Sequence, residues 1–172
     1  AAKAQGIPAQ IYYHQAGHGG APPMSIMNRW FTRYLHGVEN EVENDPKAWI
    51  VRENVARTKP TAYADYPNPE ATIVKLSLIP GAPGHGELSQ TANGTSTKEQ
   101  LVDNYSFSGA SLAQAELTEH RLLYVTPELK SDVHISGKAK LTIRVSSSKP
   151  AANLSVWLVS LPWTNSKASR IY

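Results

Sequence analysis

Between residues 25 and 35 the apolar side chains gather on one side of a helix, and nothing nearby in the chain can cover them. Ile26, Met27, Trp30, Phe31, Tyr34 and Leu35, with Val38 beyond, keep an i, i+3/i+4 spacing, the pattern of a broad buried face. Asn28, Arg29, Thr32 and Arg33 take the other side. Ser25 is the expected N-cap and Gly37 the expected stop: a hydroxyl accepts a free amide at one end, and a glycine turns left-handed at the other. Such a helix needs a sheet to lie on. The run before it, Ile11-Tyr12-Tyr13-His14, is apolar enough for a parallel sheet but too short to form one alone. The covering sheet is therefore expected from residues outside this chain of 172, which reads as a piece of a larger protein.

Between strand and helix runs Gln15-Ala16-Gly17-His18-Gly19-Gly20-Ala21-Pro22-Pro23. A strand, a glycine loop with a histidine and then a helix is similar to the way an α/β-hydrolase presents its general base. Glycines on both sides of His18 permit positive φ and close backbone approach, so a loop can set an imidazole at a sheet edge. As base, His18 would take the proton of a serine Oγ and return it to the leaving group, with a buried acid holding its other ring nitrogen. An imidazole pKa of ~6.5 suits both transfers. A solvent-exposed loop histidine is the plainer reading of the spacing. His14 is the alternative base, or a buried histidine bonded to backbone. The His14/His18 pair would share a face on a helix, but this stretch has strand and glycine character and no third ligand, so no metal or other cofactor is expected.

A nucleophile is harder to find. Gly109-Ala110-Ser111-Leu112-Ala113 comes near the Gly-x-Ser-x-Gly elbow, but its last glycine is alanine and the preceding residues 104–108 are too polar for a buried strand. It is read as a Ser/Ala-rich loop. The chain thus holds a base without its partners and is expected to be inactive alone.

From residue 39 the pattern changes. Glu39, Glu41, Glu43 and Asp45 read as a solvated acidic loop, and residues 48–52 as a short strand. Residues 72–79, 121–125, 133–136, 138–146 and 153–161 are strand candidates with period-2 alternation, separated by Gly/Pro/Ser turns and by a turn-rich stretch at 87–94. Many short alternating strands indicate a mainly-β sandwich or jelly roll. The expected division is 1–52, the end of an α/β-hydrolase catalytic domain, and 53–172, a β-sandwich that is itself incomplete. Trp30, Phe31 and Tyr34 are expected in packing against the missing sheet, and Trp157 and Trp163 in the sandwich core. The competing role for the two tryptophans is a carbohydrate-binding face.

Composition limits the remaining choices. With no cysteine the chain has no disulfide, thiolate metal site or cysteine nucleophile, which fits cytosol and a Cys-poor secreted bacterial protein equally. The net charge of +3 is spread without basic runs, so no nucleic-acid partner is expected. No apolar run approaches the ~20 residues that span a membrane, and residues 1–10 lack the pattern of a signal peptide. The oligomeric state is not readable from the sequence.

Four segments resemble the Xaa-Pro dipeptidyl-peptidase family of serine peptidases, which also includes cocaine-esterase-like acyl hydrolases. They are the glycine loop from His14 to Pro23; Asn28-Arg29-Trp30-Phe31-Thr32-Arg33-Tyr34-Leu35-His36-Gly37-Val38-Glu39-Asn40; Asp45-Pro46-Lys47-Ala48-Trp49-Ile50-Val51-Arg52-Glu53; and Leu129-Lys130-Ser131-Asp132-Val133-His134-Ile135-Ser136-Gly137. The first two are the specific part. The resemblance implies an α/β-hydrolase with a Ser-Asp-His triad, a cap and a C-terminal jelly roll. It implies release of N-terminal Xaa-Pro dipeptides from peptides with proline second, or hydrolysis of related esters and amides. Only the histidine falls in this chain, and by position the role passes to His18. The nucleophile elbow, triad acid, oxyanion hole and cap would come from the remainder of the catalytic domain. A non-catalytic β-sandwich binding module is the reading from another class.

Overall fold

The computed structural model describes residues 3–14, 18–52, 55–91 and 97–163. They fall into two compact units: the described residues up to Ala71 together with Ile135–Ala139, and Thr72–His134 together with those from Lys140 onward.

In the first unit β1 (Ile11–Tyr13) and β2 (Ala48–Ile50) pair in parallel, and β3 (Thr61–Tyr63) adds antiparallel to β2. Ile11 stands opposite Ala48 and Tyr13 opposite Ile50. Backbone bonds continue the β1–β2 pairing at both ends, from Ile11 N–H to Lys47 O and from Val51 N–H to Tyr13 O, each at 2.9 Å. Parallel neighbours need a long crossover, and α1 (Met24–His36) lies within it. So the short run at 11–13 finds sheet partners within the chain, while Phe31, Tyr34 and Leu35 on the apolar face of α1 stay exposed. The buried apolar residues of this unit, Val42, Ala48 and Val51, are few.

Helix α1 begins one residue before the expected cap. Pro23, not Ser25, is the N-cap residue, and its carbonyl accepts from Ile26 and Met27 at 3.0 and 3.2 Å. A proline there has its φ already set and gives up no amide the helix could use. Gly37 ends the helix in the left-handed region, as expected, and its N–H returns to Arg33 O at 3.0 Å.

The acidic stretch after α1 is more than a solvated loop. Arg29 donates to both oxygens of Asp45 at 2.9 Å and to the Asn40 carbonyl, while the Asn40 amide donates back to Arg29 O. Arg33 pairs with Glu43 at 2.5 Å. The Glu43 carboxyl is held below its usual range, first by its own backbone N–H and then by Arg33. These bonds draw the polar face of α1 onto the 3₁₀ turn Val42–Asn44. The other face stays open: Phe31, Tyr34 and Leu35 are exposed, Leu35 at 71%.

In the second unit β5 (Gly86–Ser89) is central, antiparallel to β4 (Ser77–Ile79) and parallel to β6 (Tyr124–Val125). A Cβ at Gly86 would lie 2.0 Å from the Ile79 carbonyl oxygen, so this crossing admits only glycine. The stretch at 87–94, turn-rich in composition, supplies most of β5. The expected strand at 72–79 forms a ladder only at its end, and Ile73 before it is 89% exposed.

Helix α2 (Gly109–Gln114) takes the place of the expected loop. The Ser108 hydroxyl caps its start, accepting from Ser111 N–H at 3.1 Å. The Arg121 guanidinium collects the carbonyls of Leu112, Ala113 and Ala115 at its end. Trp157 packs its ring against Gly109 and stays half exposed. It is therefore a cover over the helix start and not a fully buried core residue, with Trp163 beside it at 6.2 Å between ring centroids.

The alternating segments near 133–161 enter no ladder among the described residues. Residues 135–139 join the first unit instead, where Ser136 Oγ accepts from Asn68 N–H and Gly137 O from the Tyr66 hydroxyl. Leu141, Ile143 and Val145 keep their alternation but face solvent. Alternation assigns faces and does not supply a partner.

Candidate functional site: the histidine loop

Strand β1 ends at Tyr13 and delivers His14 into the glycine loop. His14 is half-buried and His18 exposed. The His14 ring stacks obliquely beside Tyr12, 5.7 Å between centroids. It also lies behind the loop, because a Cβ on Gly20 would fall 2.6 Å from its Cε1 and 2.8 Å from its Nε2. Gly20 has φ +149°, a conformation that side chains rarely adopt. The two histidines therefore differ in setting, one packed against backbone and the other facing solvent. Gly17 lies outside the described residues, as do Glu53 at the expected domain boundary and residues 169–172.

The loop is fastened from one side. Arg57 Nη1 donates to Gly19 O at 3.3 Å, and the Tyr12 hydroxyl donates to Arg57 O at 2.8 Å. Sequence reasoning missed Arg57, which stands 38 residues from Gly19 with no motif around it. Among the described residues no serine or aspartate bonds to His18, and no cluster of His, Asp and Glu could hold a metal.

Ser111 is occupied elsewhere. It sits in the first turn of α2 and donates its hydroxyl to Ser108 O at 2.8 Å. The residues before it form a turn and a bend, not a strand. That is capping geometry, without the strand-to-helix elbow a nucleophile needs.

Residues 40–170 match the family described as the X-Pro dipeptidyl-peptidase C-terminal non-catalytic domain. The chain belongs to the Xaa-Pro dipeptidyl-peptidase family. It is 55% identical over 171 residues to a Rhodopirellula baltica protein named "Putative Xaa-Pro dipeptidyl-peptidase", covering 99% of this chain and 27% of that relative. It is 29% identical over 158 residues to a Bacillus anthracis protein of the same name, covering 89% of this chain and 26% of the relative. It is 28% identical over 155 residues to the "Xaa-Pro dipeptidyl-peptidase" of Lacticaseibacillus rhamnosus, covering 80% of this chain and 18% of the relative. The chain spans about a quarter or less of these relatives. No solved structure matches it.

The match agrees with the mainly-β character read from the sequence: past Gly37 the paired backbone is β, with α2 and the 3₁₀ turn as the helical pieces. It also separates the site residues. His14 and His18 lie before the matched range, and Arg57 lies inside it. No described helix is long and apolar enough to cross a membrane.

Proposed function

We propose that this chain is the C-terminal part of a serine hydrolase that releases Xaa-Pro dipeptides from peptide N-termini, with His18 as its general base. The observation that carries the reading is position. His18 is an exposed imidazole in a glycine loop, between a parallel strand and a helix, just ahead of the range that belongs to the family's non-catalytic C-terminal domain. Residues 1–52 are then the end of the α/β-hydrolase domain, and the later residues its jelly roll.

The chemistry follows from the imidazole. His18 accepts the proton of a serine Oγ as it attacks the proline carbonyl, then gives it to the departing amine of the next residue. A second cycle with water frees the dipeptide. The serine and the acid come from the rest of the hydrolase, so the chain alone turns over nothing. The open face of α1, with Phe31, Tyr34 and Leu35 exposed, supports a covering sheet contributed by the same part.

The test is turnover of Ala-Pro and Gly-Pro chromogenic amides by the full-length hydrolase. His18→Ala is expected to lower kcat at least about 10⁴-fold, and His14→Ala far less. The reverse order would make His14 the base. Turnover of esters with none of either amide would move the substrate to the esterase type.

A further inference from the structure

We infer that Arg57 is a positioning residue for the His18 loop, supplied by the part of the chain that matches the non-catalytic domain. The inference rests on the reading of His18 as the base. Arg57 stands in the connection between β2 and β3, inside the matched range 40–170, whereas the loop it grips lies outside that range.

Three contacts make the grip. The guanidinium donates to the Gly19 carbonyl at 3.3 Å, on the residue next to His18. The backbone at Gly20 runs close against it, since a Cβ there would lie 3.2 Å from Arg57 Cζ while meeting the His14 ring on the same approach. The Tyr12 hydroxyl bonds the Arg57 carbonyl at 2.8 Å. The main chain that carries the guanidinium is thereby fastened to β1, the strand that leads into the loop.

This anchors the imidazole from its own backbone. A general base must hold its geometry within a fraction of an ångström, and a shift of about 1 Å costs roughly 10²-fold in rate. An arginine keeps its charge throughout the range where an imidazole titrates. The grip therefore holds whether His18 is neutral, before attack, or protonated, before proton return. It leaves the ring itself untouched, so its effect reaches the reaction through His18 alone.

The experiment uses the full-length hydrolase and an Ala-Pro chromogenic amide, with kcat referred to sites titrated by an acylating serine probe, so that misfolded protein does not count. Arg57→Met keeps the stem and removes the donors. It is expected to lower kcat about tenfold with KM within about twofold, and Arg57→Lys, with a single donor, to recover part of the loss. Tyr12→Phe is expected to lower kcat less, in the same direction, and it decides the matter if circular dichroism shows that Arg57→Met does not fold. An unchanged kcat in the folded variants, with His18→Ala inactive, would overturn the positioning role alone. A raised KM at unchanged kcat would overturn it too, by making Arg57 a substrate contact. Full activity of His18→Ala would overturn the base assignment beneath it.

Discussion

Two turns in this molecule are each held by one charged side chain, and the charges are opposite. In the first unit the Arg57 cation grips a carbonyl of the histidine loop. In the second unit the Glu99 anion grips amides of the turn between β4 and β5. One Glu99 oxygen accepts from Gly81 N–H at 2.8 Å and Ala82 N–H at 3.0 Å, and the other accepts from the Tyr124 hydroxyl on β6. Burial pushes the Glu99 carboxyl up, but the bonds from Tyr124, Ala82 and Gly81 outweigh it and hold it below its usual range. The Tyr124 phenol is driven well up, by burial first and by Glu99 next. An arginine grip is indifferent to acid, whereas a carboxylate grip is not.

The comparison extends to the glycines beneath each grip. The neighbours of Gly20 are ends of side chains, His14 and Arg57, whereas Gly86 meets the Ile79 carbonyl itself. At Gly20 a side chain is strained by the φ of +149° and meets only side-chain atoms, whereas at Gly86 it meets a laddered backbone that cannot move aside. The largest expected effect is therefore Gly86→Ala: about 3 kcal/mol of overpacking, read as roughly hundredfold faster amide exchange across β4 and β6. Exchange unchanged there would mean that the two glycines are equivalent.

Next comes Glu99→Gln. It removes the charge from the grip and is expected to speed amide exchange at Gly81 and Ala82 about tenfold at neutral pH. The sign of the pH dependence follows from the lowered folded pKa. The stabilisation by Glu99 is fully present above the unfolded carboxyl value, ~4.3, and is lost as pH falls through the still lower folded value. Exchange corrected for its intrinsic pH dependence should rise in acid at Gly81 and Ala82, flatten in Glu99→Gln, and show no such step through Arg57 at Gly20. A matching acid step at Gly20 would erase the contrast between the two grips.

The smallest effect is expected at the exposed pairs of α1. Arg29→Met should raise exchange at Val42 and Asp45 by about threefold or less, and high salt should do the same to the native chain. A large effect there would give a surface pair the same weight as the two loop grips.

What could be read from the sequence was what is local. The apolar spacing of 26–35, the stop at Gly37 and the strands at 11, 48 and 124 rest on residues within a turn or two of one another, and they stand in the structure. β3, β5 and α2 did not show themselves. β5 exists because Gly86 lets two neighbours close on it, and α2 because Arg121 gathers its last carbonyls. The two grips share that cause: Arg57 acts at a distance of 38 residues and Glu99 at 17 to 25. His18 was visible as a type and a setting, whereas the residue that steadies its loop carries no mark in its own neighbourhood.

The polar latch of α1 has a consequence for the order of assembly. Its bonds join residues only 10 to 16 apart in the chain, so they close at little entropic cost. Contacts of such short separation are among the first that a chain can make. Helix and acidic turn can set together while the parallel pair β1–β2 is still searching across its longer crossover. In that order Arg29 and Arg33 would turn the charged side of the helix to its own loop before the sheet closes. Phe31, Tyr34 and Leu35 are presented, preformed, as a surface that a later-docking layer would meet ready-made.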